Sequence, residues 1–154
     1  MYLENSKTFI VKIGSSLIID DKKIIRKKWL LEFAKDIKAL RKKNKNIIIV
    51  SSGAIALGCK KLNIIKKKLK IDQSQAVASV GQIELMNLFK EVFAIQKINI
   101  SQILLTLEDT EIRRRAINAK RTIENLFNLN FLPIVNENDT IATSEIKYGD
   151  NDRL

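Results

Sequence analysis

The residues best placed to do chemistry in this sequence fall in short polar runs, each following an apolar one: "VKIGSS" (11–16), "VSSGA" (50–54) and "IVNENDT" (134–140), with "GDND" (149–152) close behind. In the first, Lys12 stands two residues before Gly14, and Ser15 follows. The backbone amides of a Gly-Ser-Ser turn can hold phosphate oxygens, and a lysine adds a point charge. The run is neither the P-loop pattern nor the dinucleotide fingerprint, and alone it reads more often as a plain strand and turn. A lysine inside an otherwise apolar strand nevertheless calls for an anionic partner, because burying an unpaired charge is costly.

The second run has the form of a strand-to-helix turn, with Ser51 or Ser52 suited to cap the helix and Gly53 beside them. Free amides at such a helix start suit a phosphate or a carboxylate; capping alone explains the residues equally well. In the third run, Asn136, Glu137, Asn138 and Asp139 combine amides and carboxylates. Together these can read an ammonium group, or they can tie a loop to its own backbone. The "GDND" run repeats that chemistry and looks like the cap and first turn of a further helix.

What is missing narrows the choice. The chain has no histidine and a lone cysteine, Cys59. Histidine-based triads, histidine metal sites and an internal disulfide framework are excluded. Chemistry here must run on lysine, carboxylates, hydroxyls and backbone amides.

The elements that must position these residues follow from the hydrophobic pattern. "TFIVKIG" (8–14), "NIIIV" (46–50), "ISQILLT" (100–106) and "FLPIV" (131–135) read as buried strands. Trp29, Leu30, Phe33, Ile37 and Leu40 recur at helical spacing between the first two. A short helix follows "SSGA", and a long one is expected over 72–96, with Ala76, Val80, Ile83, Phe89 and Val92 on or near one face. Gly81 inside it sacrifices about 1 kcal/mol of helix propensity, which points to a close contact there. A single helix is expected over 108–130, acidic in its first turn, with Ile112, Ala116, Ala119, Ile123 and Phe127 facing inward. This alternation predicts an α/β fold, an open and mostly parallel sheet with helices on both faces. In such sheets ligands bind beyond the C-terminal ends of the strands, which is where the polar runs fall.

At 154 residues the chain has room for one domain. No apolar stretch is long enough to span a membrane and no signal peptide is recognisable, so a cytoplasmic protein is expected. The formal charge of +11 suggests nucleic acid or an anionic surface. The lysines are scattered, however, and lack interleaved aromatics, so biased coding towards Lys, Ile and Asn is the plainer account. Nucleic acid is not the expected partner.

Taken together, "VKIGSSLI", "VSSGAIALG", "VASVGQ", "QILLT", "NAKRTIENL" and "PIVNENDTIATSEIKYGDND" resemble the glutamate 5-kinase group of the amino acid kinase family, from about Phe9 to the last residue. The resemblance implies ATP-dependent phosphorylation of the γ-carboxylate of L-glutamate, the entry to proline synthesis. It implies Lys12 and Asp152 as catalytic residues, Lys12 neutralising the phosphoryl group and Asp152 orienting the catalytic lysines. It implies Gly14 and Ser15 in the ATP phosphate turn, and Ser52, Gly53, Asn136, Asp139 and Asn151 around the amino acid. Mg²⁺ with ATP, feedback inhibition by proline and a homo-oligomer are further implications, and no metal ligand is assigned to the chain itself. The family's second half, with the adenine and ribose site, and a further RNA-binding-like domain have no counterpart in residues 1–154. The expectation is therefore an N-terminal, glutamate-binding half of the domain, truncated after that half. The alternative is a non-catalytic remnant that binds glutamate, proline or a partner subunit.

Overall fold

The computed structural model of this protein describes residues 5–65 and 69–142. Strand β1 (Thr8–Ile13) leads through a single helical turn, α1 (Ser15–Ile18), to helix α2 (Lys27–Lys42). Strand β2 (Asn46–Ser51) is followed by α3 (Ala54–Lys61) and the long α4 (Ile71–Ile95), then by β3 (Asn99–Leu105). Helices α5 (Leu107–Glu111) and α6 (Arg113–Asn128) precede β4 (Phe131–Glu137). The four strands form one parallel sheet in the order β1-β2-β4-β3.

Right-handed crossovers place α2, α3 and α4 on one face of this sheet. The connection from β3 to β4 runs back in the opposite direction, so it carries α6 to the other face. The main core lies on the first face. Ile13, Ile47, Ile49, Leu132 and Ile134 of the strands pack there against Leu30, Ala34 and Ile37 of α2 and Leu85, Phe89, Val92 and Phe93 of α4. Trp29 stacks on Phe33 at 5.4 Å between ring centroids and covers the rim of this core rather than entering it.

Several sequence expectations need correction. β1 is a strand at the end of the described sheet order, buried on one face only: Phe9, Val11 and Ile13 turn to the core, while Ile10 is 67% exposed and Lys12 is exposed with it. A continuous apolar run does not by itself tell a central strand from a flanking one. The buried stripe of α4 runs through Ser74, Val77, Ala78, Gly81, Leu85, Leu88, Phe89, Val92 and Phe93, leaving Ala76 and Ile83 exposed. The helix expected over 108–130 is two helices broken at Ile112, whose ψ of 108° is extended. No residue of α6 is fully buried; Ala116, Ala119, Ile123 and Phe127 are half-buried and Ile112 is exposed.

Gly81 is where α3 and α4 meet. A Cβ built there would lie 1.7 Å from the carbonyl oxygen of Ala54 and 2.5 Å from the nitrogen of Gly58. Gly58 in turn faces the Val77 carbonyl, which a Cβ would meet at 2.1 Å. The two backbones therefore touch directly, as the glycine inside the helical pattern had indicated.

At the opposite, N-terminal edge of the sheet, Arg41 near the end of α2 reaches the chain just beyond α6. Its Nη2 donates to the carbonyl oxygen of Asn130 at 2.9 Å and also to that residue's side-chain oxygen. Partial burial draws the guanidinium pKa below its ordinary value. Because the hydrogen bonds are partly exposed, Arg41→Ala is expected to destabilise the fold by only about 1 kcal/mol. A urea melt with a shifted midpoint and an unchanged slope checks this.

Candidate active site

Because all four strands run the same way, their C-terminal ends share one edge, and the polar runs of β1, β2 and β4 lie on neighbouring strands. The first two are in direct contact. Beyond β1, Gly14 has extended backbone angles and opens the single turn α1. Beyond β2, the Ser52 N–H donates to the Ile13 carbonyl at 3.1 Å, closing the two turns onto each other. A Cβ built on Gly53 would lie 3.7 Å from the Cα of Ser15.

Gly53 rather than either serine stands at the N-cap of α3, and no side chain caps that helix. Its φ of +119° and ψ of 0° are open to glycine and strained for other residues. Ser51 is buried and its Oγ donates to the Ser52 carbonyl at 3.1 Å, so the expected serine cap is not made. The first-turn amides of α3 are thereby left for something other than a side-chain cap. At Gly14 nothing lies within 4 Å of a built Cβ, which leaves open space beside the β1 turn.

The β4 run differs from its expected loop. The strand continues to Glu137, so Asn136 and Glu137 belong to the sheet, and both are buried with Asp139. Asn136 projects to the face that carries α4, where its Nδ2 donates to Oε1 of Gln82 at 2.7 Å. After the strand, the Asn138 N–H donates to the Leu105 carbonyl at 2.8 Å, and the Asn138 carbonyl accepts from Ile141 and Ala142. The chain thus folds back over the end of β3.

Lys12 corrects the expectation of a buried charge. It pairs in register with Val50 and, two residues along from Ile10, projects from the exposed face of β1, opposite the main core. The structure therefore brings Gly14, Ser15, Ser52 and Gly53 together at one point and sets Asn136 beside α4. Lys12 lies on the other side of the sheet edge from Asn136. Asn151 and Asp152 lie outside the described residues. Gln82, which sequence reasoning missed, is the residue that joins Asn136 to α4. Its position directly after Gly81, the glycine that indicated a close contact, was the available signal.

Next to the β4 loop is a cavity of about 420 Å³ lined by Thr106, Leu107, Glu108, Asp109, Arg115, Ile141 and Ala142. Asp109 accepts from the Thr106 N–H and Oγ1, each at 2.8 Å, and Arg115 reaches back to it across the helix break at 3.2 Å. The Thr106 backbone hydrogen bond and then its hydroxyl hold the Asp109 carboxyl below its usual range; desolvation opposes them, and Arg115 adds a lesser pull downward.

Comparison with known proteins gives this geometry its context. The model of the amino acid kinase family matches residues 7–154. A glutamate 5-kinase of Pelagibacter ubique (strain HTCC1062) is 78% identical over the whole of this chain, which covers 42% of that protein. One from Ruegeria sp. (strain TM1040) is 50% identical over 99% of this chain and 42% of its own length. The chain thus spans well under half the length of these curated relatives. Among solved structures, a carbamate kinase of Giardia superposes with a TM-score of 0.55 at 11% identity, over 85% of this chain and 60% of that one. That likeness is one of fold.

Proposed function

The chain belongs to the amino acid kinase family, and on that premise we propose that it is the glutamate-binding, N-terminal part of a glutamate 5-kinase. The reaction is transfer of the γ-phosphoryl group of ATP to the γ-carboxylate of L-glutamate, giving L-glutamyl 5-phosphate and ADP, the first step of proline synthesis in the cytoplasm. The observation that carries this reading is the direct contact of the two turns, Gly14–Ser15 and Ser52–Gly53, beside buried Asn136. Two anions must meet in this reaction, and two abutting turns offer sites for both.

A carboxylate is already nucleophilic at neutral pH, so a chain without histidine needs no general base. The γ-carboxylate oxygen attacks phosphorus while the bond to the β–γ bridging oxygen of ATP breaks, and the departing oxygen carries its electron pair into ADP. The protein's task is to align these groups and offset their charge. The Gly14–Ser15 turn cradles the phosphates and Lys12 contributes positive charge from the same strand. Ser52, Gly53 and the start of α3 receive the amino acid, with Asn136, Asp139 and Asn151 reading its other groups and Asp152 orienting the lysine. Magnesium would accompany ATP and supply charge neutralisation at the phosphates, with no ligand from this chain assigned to it. Among the described residues, no three His, Cys, Asp or Glu side chains gather into a metal cage.

Proline shares the α-carboxylate and amino nitrogen of glutamate and would compete at the same site. Ile83, 64% exposed on α4, suits the expected homo-oligomer.

Calorimetric titration with L-glutamate tests the proposal. Saturable heat is expected from the chain, and Ser52→Ala is expected to weaken binding about tenfold or more through lost polar contact. Its melting should change little, since the Ser52 contact with β1 is made by the backbone. Equal affinity in both proteins would remove Ser52 from the site; no binding to either would remove the glutamate reading.

A further inference from the structure

Gly81 brings α4 onto the first residue of α3, and the next residue, Gln82, is thereby delivered to β4. There its Oε1 accepts the Asn136 hydrogen bond at 2.7 Å. Its Nε2, on the same amide, is buried and has no hydrogen-bond partner among the described residues. Buried amide donors left unmade are costly and rare, and where they persist they ask for an explanation. A leucine or methionine would fill similar space without that cost. An amide at this place is accounted for by an acceptor beyond the described residues, such as an arriving ligand.

We infer that Gln82 belongs to the substrate site, its Oε1 orienting Asn136 and its Nε2 donating to a carboxylate oxygen of the bound amino acid. The inference rests on the glutamate-binding reading and adds to it a donor that none of the sequence motifs had assigned. A carboxylate matches the Nε2 because it is an acceptor only and has several lone pairs to offer. Gln82 lies on the helix in contact with Ala54, beside the free first-turn amides of α3, so both sources of N–H donors serve the same anion. Holding Asn136 by the other end of the same amide makes that orientation depend on the Gln82 rotamer.

The test is titration of L-glutamate into the chain and its Ser52→Ala, Gln82→Leu and Gln82→Glu variants, together with thermal melts. Gln82→Leu is expected to bind at least tenfold more weakly, with only a small change in melting temperature, because removing the unmade Nε2 donors offsets the loss of the Oε1 acceptor that Asn136 uses. Gln82→Glu is nearly isosteric but presents a negative acceptor at pH 7, where binding should be lost. As pH is lowered towards 5 its buried carboxyl regains a proton, hence a donor, and affinity should rise relative to the parent at the same pH.

If Gln82→Leu binds within twofold of the parent while Ser52→Ala does not, the role of Gln82 is overturned and the site reading stands. The same holds if Gln82→Leu melts earlier and its folded fraction binds normally, which would mark a structural residue. Should Gln82→Leu fail to fold, parent-like affinity of Gln82→Glu at pH 7 overturns the inference and loss of binding supports it. No binding by the parent overturns the site reading and this inference together.

Discussion

Gly81→Ala is expected to destabilise the chain by about 3 kcal/mol or more, at the upper end of what overpacking costs. Helix propensity alone would favour the substitution by about 1 kcal/mol. The sign is set instead by what the new methyl meets. The Ala54 carbonyl oxygen, 1.7 Å away, and the Gly58 nitrogen, at 2.5 Å, are backbone atoms and cannot rotate aside. One helix must slide, and the start of α3 and the Gln82–Asn136 hydrogen bond slide with it. A urea melt should show the loss of stability, and L-glutamate binding should fall even where the variant remains folded. A midpoint at or above that of the parent would mean that the two helices do not touch as described.

Lys12→Met carries the other large effect, and it is of the opposite kind. The side chain is exposed on β1, so its replacement should leave the fold largely intact. Surface substitutions of this sort usually move stability by no more than about 0.5 kcal/mol. In a full-length kinase carrying this part, glutamate-dependent ATP turnover should nevertheless fall about 100- to 1,000-fold, the usual loss on removing a charge-stabilising donor from a transition state. Lys12→Arg should recover little of it, because a planar fork does not replace a compact ammonium. Turnover within twofold of the parent would remove Lys12 from the reaction, leaving the glutamate site to stand by itself.

Much of this was legible in the residues. The strands could be read because each is a short apolar run closed by polar or turn-forming residues, and their parallel direction, though not their order, follows from the helices between them. Gly81 announced a helix contact by its cost. What escaped depends on neighbours. The exposure of Lys12 is set by the position of β1 in the strand order, about which an apolar run such as "FIVKI" carries no signal. The break at Ile112 lies between two stretches that each read as helix, and Arg115 reaching back to Glu108 and Asp109 spans it. The serine cap of α3 gave way to Gly53 because the turn needs a positive φ that serine adopts with difficulty. Gln82 was visible as part of "VASVGQ", but its meaning rests on Asn136, distant in sequence and adjacent only in the folded chain.

The strand order has a consequence for how the molecule comes into being. β4 is the last of the described strands to leave the ribosome, yet it lies between β2 and β3. Until it arrives, β1 and β2 can pair while β3 has no neighbour, and the core around Ile49 waits for Ile134. With emergence at roughly 5–20 residues per second, the nascent chain carries a half-built interior for seconds. That interval, more than equilibrium stability, is when chaperones would matter most to this protein.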